Sequence, residues 1–144
     1  MVAIIDWFSR YVLGWKLSVS LEADFCIEAL KEVLSKGSCA IFNTDQGTQF
    51  TTPRFTSLLI AQNIQISMDG KGRALDNIFV ERLWRSLKYE LIYLYDYQTV
   101  PEVEQAIHDY FHFYNHERPH QSLRYQTPAS IYLRGKSDSV LVVQ

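Results

Sequence analysis

An α/β domain, a mixed sheet flanked by helices, is what this sequence predicts, and three observations carry the prediction. Residues 2–8 and 11–19 are β-rich runs separated only by Ser9 and Arg10, the pattern of a hairpin with a tight turn. Two shorter apolar runs, 40–43 and 64–67, alternate with segments of helical periodicity. Thr52-Pro53, Pro101 and Thr127-Pro128 mark places where helices begin, because proline fits the first helical turn and threonine caps it.

Taken in order, the first run is nearly continuously apolar and the second follows as its hairpin partner. Residues 21–35 place Phe25, Ile27, Leu30, Val33 and Leu34 at helical spacing, with acids in the first turn and Gly37 past the end. The strand at 40–43 delivers Asp45 to a glycine-containing turn. A helix over 53–62 and a strand over 64–67 follow, and the loop 68–75, containing Gly70 and Gly72, is expected to move. Asp76 reads as the cap of a long helix to about Leu91, since Leu83, Leu87 and Leu91 recur at i, i+4 and i+8. Pro101 opens another helix to about Tyr114, and Pro119 stops any continuation. A short helix starts at Pro128, and residues 137–144 resemble a frayed tail. The expected division is a core over residues 1–135 and a tail over 136–144.

With 144 residues, 47% hydrophobic and 14% aromatic, the chain can bury one core and is too apolar for disorder. No apolar run reaches the roughly 20 residues of a membrane span, and no signal-peptide pattern follows Met1, which points to the cytoplasm. Cys26 and Cys39 lack the CxxC spacing of a redox or zinc motif and read as structural thiols. The net charge of −2 hides an uneven distribution. Residues 21–35 are acidic, whereas 70–89 carry Lys71, Arg73, Arg82, Arg85 and Lys88 against Asp76 and Glu81, and 118–136 carry four basic residues and no acid. A polyanion would be held by these local fields and not by the average.

Asp45 and Glu81 are the candidate site. One carboxylate at a strand end and another on a helix can hold Mg²⁺ or Mn²⁺, hard ions that prefer oxygen ligands and keep positions open for water and phosphate. Asn77, Glu81, Arg85 and Lys88 follow at intervals of four, four and three, hence on one helix face. That stripe suits metal, scissile phosphate and backbone; alternatively it is a solvated face with i,i+4 pairing of Glu81 and Arg85.

The succession of motifs narrows the choice. Residues 43–50 (Asn-Thr-Asp-Gln-Gly-Thr-Gln-Phe), Asp76-Asn77 with Glu81 and Leu87-Lys88, Tyr114-Asn115 with Arg118-Pro119-His120, and Thr127-Pro128 resemble the catalytic core of insertion-sequence transposases of the retroviral-integrase type, the IS3 family in particular. The resemblance runs from about Val2 to Tyr132. It implies an RNase H-like fold, a DDE active site, dependence on a divalent metal, double-stranded DNA as substrate, association with other copies or with a full-length transposase, and a nucleoid-associated location. By that resemblance Asp45 is the second acidic residue and Glu81 the third, both as metal ligands, while Lys71, Arg73, Asn77, Arg85 and Lys88 meet the DNA.

One departure follows from the same resemblance. The first catalytic Asp of the family lies on a first, central strand upstream of the Ile-Asp-Trp-Phe-Ser-Arg motif seen here at residues 5–10, and this chain starts inside the next strand. Asp6 is expected to brace the hairpin through Ser9 or Arg10. A missing central strand would expose unpaired backbone groups on both neighbours, so the chain is expected to be marginal, to close the gap by rearrangement, or to borrow a strand. The expected function is DNA transposition and integration in the complete enzyme, with weak or absent activity in this chain; alternatively the chain is a non-catalytic DNA-binding or oligomerising remnant that modulates full-length transposase. A nuclease acting on RNA–DNA hybrids is a third class. His108, His112, His116 and His120 recur every four residues, a ladder that Pro119 interrupts, and a structural role is expected for all four. Trp84 and Tyr93 to Tyr97 are expected in helix packing, with base stacking as the alternative.

Overall fold

The computed structural model describes residues 1–19, 23–68, 78–135 and 140–143, the last four by their backbone alone. Strand β1 (Val2–Asp6) and strand β2 (Val12–Lys16) form the expected hairpin, and Arg10 adopts φ 65° in its turn. Helix α1 (Asp24–Lys36) leads to β3 (Ile41–Thr44), a short α2 (Thr48–Thr51), α3 (Pro53–Ile60) and β4 (Gln65–Met68). Then come α4 (Ile78–Glu90), α5 (Val100–His116), α6 (Pro128–Tyr132) and β5 (Val140–Val143).

The threonine caps at Thr52 and Thr127 form as expected, and Thr99, not singled out in the sequence, adds a third. Thr52, Thr99 and Thr127 each accept a hydrogen bond from the backbone N–H three residues on, and each is followed by a proline in the first turn. Asp76, expected to cap α4, lies outside the described residues, as does most of the 68–75 loop. The α2 turn was not expected from the sequence: its four residues are too few for a period to show.

The sheet has the order β2-β1-β5-β3-β4. β5 runs antiparallel to β1, with Asp6 opposite Leu141 and Ile4 opposite Val143, and parallel to β3, with Phe42 opposite Leu141 and Thr44 opposite Val143. Residues 140–143 therefore do not fray. They form the strand that lies between β1 and β3. A four-residue run Val-Leu-Val-Val is β-branched and apolar enough to lie in the middle of a sheet, although at a chain terminus it reads as a tail.

β1 is buried along its whole length, and its alternation explains why. Val2 and Ile4 face a core that contains Leu30, Phe42, Phe55 and Leu59 from α1, β3 and α3. Ala3 and Ile5 face a second core that contains Val80, Leu83, Leu87, Ile107 and Phe111 from α4 and α5. Helices thus cover both faces of a mixed sheet, and period-two alternation on one strand serves both cores. Among the described residues, no helix is long and apolar enough to cross a membrane.

Candidate active site

Asp45 follows directly on β3 and is half-buried. Its Oδ1 accepts a hydrogen bond from the Gly47 N–H at 2.7 Å, so the Asp-Gln-Gly turn orients the carboxylate at the strand end. A Cβ at position 47 would stand 2.7 Å from that same oxygen and 2.6 Å from Gln49 Nε2, so a larger residue there would displace the Asp45 carboxylate and the Gln49 amide. Glu81 lies in the first described turn of α4 and is exposed, with Val80, Leu83 and Leu87 pinning the opposite side of the helix in the core.

Glu81, Arg85 and Lys88 come together as the sequence spacing predicts. They line one depression of about 410 Å³ with Trp84, Tyr89 and Tyr93. The i,i+4 ion pair between Glu81 and Arg85 does not form; the Arg85 guanidinium sits 5.8 Å from the Tyr89 ring centroid instead. Among the described residues neither Arg85 nor Lys88 has a carboxylate partner. Tyr93 and Tyr95 are exposed rather than packed in the core, contrary to the expectation for that segment. Lys71, Arg73 and Asn77 lie outside the described residues.

Asp45 does not line that depression, and among the described residues no group of three His, Cys, Asp or Glu side chains is placed to hold a metal ion. Asp6 takes the bracing role. Buried to 3% exposure, its Oδ2 accepts from both the backbone N–H and the hydroxyl of Ser9, and its backbone bonds Arg10 and Tyr11 across the turn. The strand register also sets it apart: Asp6 is level with Phe42, two strands across and three residues back from Asp45, a separation on the order of 14 Å.

The Arg-Pro-His motif organises the end of α5. Arg118 Nε donates to Glu90 Oε2 at 2.9 Å and Nη2 donates to Oε1, while Tyr110 donates its hydroxyl to the same Oε2 at 2.9 Å. Burial pushes the Glu90 carboxyl up, but these hydrogen bonds hold it below its ordinary range. His120 is half-buried edge-on against Tyr114, and burial together with the nearby Arg118 charge lowers its pKa to about 4. His112 and His116 stack at 4.8 Å, and His116 meets Tyr11, so the four histidines form no common site. Cys26 and Cys39 are both buried and free, and burial raises the Cys26 thiol to about 11, where it is inert.

Two residues that the sequence reading did not place at the candidate site come together here. Arg10 lies with its guanidinium carbon 3.4 Å from the Phe79 ring centroid, and Arg82 shares a pocket with it. The Ser-Arg step of the hairpin motif was the signal for Arg10, but nothing local shows which helix its side chain will meet.

The class that this fold defines is an integrase core, and the chain belongs to the integrase core domain family, whose models match residues 1–74 and 62–128. Its relatives are insertion-sequence transposases. It is 34% identical over 128 residues to the transposase for insertion sequence element IS904 of Lactococcus lactis, covering 86% of this chain and 51% of that protein. It is 33% identical over 96 residues to transposase InsF for insertion sequence IS3A of Escherichia coli, covering 65% of this chain and 33% of that protein. The chain thus spans about half the length of the first of these relatives. The catalytic core domain of BIV integrase superposes with a TM-score of 0.75 at 22% identity, covering 94% of this chain and 86% of that one. The HTLV-2 integrase catalytic core, solved in complex with magnesium in a dimeric form, superposes with a TM-score of 0.69 at 23% identity, covering 90% and 81%. The fold is therefore RNase H-like, as the motifs imply.

Proposed function

We propose that this chain is the DNA- and metal-binding core of a transposase of the IS3 type, with Asp45 and Glu81 as carboxylate ligands and Arg85 and Lys88 on the DNA backbone. The observation that carries the proposal is the depression on α4, where a carboxylate and two cations without acidic partners among the described residues share one exposed face in a chain of the integrase core family. Lys71, Arg73 and Asn77 extend the same DNA contact in this reading. The donor set suits Mg²⁺ or Mn²⁺, since both ligands are hard oxygens. A divalent ion held there would polarise a phosphoryl oxygen and acidify bound water. The chain's own part is to fix Asp45 through Gly47, to hold Glu81 on a helix anchored by Leu83 and Leu87, and to position phosphates without reading sequence.

Strand transfer by this chain alone is weak or absent in this reading. β5 fills the strand between β1 and β3 with Val140, Leu141, Val142 and Val143, which bring no carboxylate. Two ligands do not fix a pair of ions, and in-line attack loses about 100-fold for a displacement of 1 Å. The same observation favours a second role, a DNA-binding or oligomerising partner that modulates a full-length transposase.

DNA binding measured across a salt series, with Mg²⁺- and Mn²⁺-dependent cleavage and joining assayed in parallel, tests the proposal. The expected result is binding that weakens steeply with salt, little joining of DNA ends, and loss of Mn²⁺ binding in Asp45→Asn and Glu81→Gln. Efficient joining by the 144-residue chain would overturn the weak-activity reading, and failure to bind DNA at low salt would overturn the whole. Cleavage of RNA–DNA hybrids in preference to duplex DNA would reassign the chain to a nuclease.

A further inference from the structure

A second cavity lies beside the Glu81 face of α4 and shares Arg85 with it. It measures about 390 Å³ and is walled by Arg10, Arg82, Arg85 and Arg118, with Ser122 on the far side. Arg118 is neutralised by Glu90. Arg10, Arg82 and Arg85 have no ion-pair partner among the described residues, and Arg10, half-buried over Phe79, feels the Asp6 carboxylate on one side and the Arg82 charge on the other. Three guanidinium groups around one small cavity repel one another unless an anion joins them. Guanidinium forks match phosphate oxygens in geometry as well as charge.

An adjoining cavity of about 740 Å³ shares Arg10, Phe79 and Ser122 with the first. Its other walls are mostly apolar: Trp7, Phe8, Leu123 and Ile131. Phe8 is 71% exposed, an unusual state for a phenylalanine at a strand end, and the Trp7 Nε1–H is buried without a hydrogen-bond partner among the described residues. Aromatic walls beside a phosphate-binding cluster suit the two halves of a nucleotide, since any base offers a π-face and several hydrogen-bonding groups.

We infer that these two cavities together take one unpaired nucleotide of a DNA strand, its phosphate among Arg10, Arg82 and Arg85 and its base between Phe8, Phe79 and Trp7. This rests on the proposed DNA-binding function and adds a subsite to it. Arg85 lines both this cavity and the depression that holds Glu81 and Lys88, so one strand can pass from the carboxylate face over α4 into the pocket. A blunt duplex keeps its bases stacked and can fill only the phosphate half.

The test compares binding of a blunt duplex, the same duplex with a short single-stranded extension, and a single-stranded oligonucleotide, using the full chain and the variants Lys88→Ala, Arg82→Ala and Ser122→Glu. The extended duplex is expected to bind at least about fivefold tighter than the blunt one, the lower end of what stacking one base contributes. Ser122→Glu, on the wall opposite α4, is expected to abolish that preference. Arg82→Ala is expected to weaken binding of the extended duplex about 5- to 10-fold near 0.1 M salt and to lower its salt slope by about one contact. Thermal melting of each variant confirms folding, and all three substituted side chains are exposed.

Equal binding of blunt and extended duplexes, or a preference that survives both Arg82→Ala and Ser122→Glu, would overturn the inference. If Lys88→Ala weakens binding while the pocket variants do not, the proposed function stands and this subsite falls. If single strands bind through the pocket while the blunt duplex and Lys88→Ala show nothing, the subsite stands and the duplex-binding reading falls. Competition by polyglutamate at the pocket without any effect of an unpaired base would reassign it to an acidic polypeptide.

Discussion

Asn115 clamps Val12 with both ends of its amide: Oδ1 accepts from the Val12 N–H and Nδ2 donates to the Val12 carbonyl, each at 2.9 Å. β2 is an edge strand, and the side chain from α5 does there what a neighbouring strand would do. The clamp ties the hairpin to a helix 103 residues further along the chain.

Asn115→Leu keeps the approximate volume and removes both hydrogen bonds, leaving the Val12 donor and acceptor buried and unpaired. Each such group costs about 1–3 kcal/mol, so urea denaturation is expected to show a loss of about 2–4 kcal/mol. A loss below about 0.5 kcal/mol would mean that water replaces the amide.

β5 gives a second prediction. A proline is tolerated at sheet edges but not in a strand with neighbours on both sides, and Val142 lies opposite Ile5 on one side and Asn43 on the other. Val142→Pro is expected to destabilise the chain by about 3 kcal/mol, a large share of the roughly 5–15 kcal/mol typical of a domain. An unchanged urea midpoint would show that residues 140–143 contribute nothing to the sheet in solution.

The third concerns pH. His120 has a folded pKa of about 4, below its ordinary 6.5, because burial and the Arg118 charge disfavour the imidazolium. Between these values the unfolded chain binds the proton and the folded chain does not, so stability falls as pH drops from about 6.5 towards 4. Replacing His120 with Gln removes this contribution. Melting temperatures of the two proteins between pH 7 and 4.5 are expected to converge on acidification, and parallel curves would count against the assignment.

Much of this was legible in the sequence, for identifiable physical reasons. Thr52 and Thr127 precede their prolines directly and mark helix starts, whereas for α5 Pro101 was the signal and the Thr99 cap two residues before it went unread. The Glu81, Arg85, Lys88 face was legible because α4 is regular and its leucines fix its rotation. The place of residues 140–143 was not, since strand order is set by pairing between segments far apart in sequence. The Asn115 clamp and the Arg10–Phe79 contact were hidden for the same reason: a motif shows that Asn115 and Arg10 matter without showing what they touch.

The central position of β5 also sets the order in which the sheet can be assembled. β1 with β2, and β3 with β4, are each formed from segments close enough in sequence to pair early, but neither pair hydrogen-bonds the other. Only when Leu141 reaches its place between Asp6 and Phe42 do the two halves become one sheet. Closing so long a loop is entropically slow. The four apolar residues of β5 are therefore the hydrogen-bonded seam that makes the two pairs one sheet.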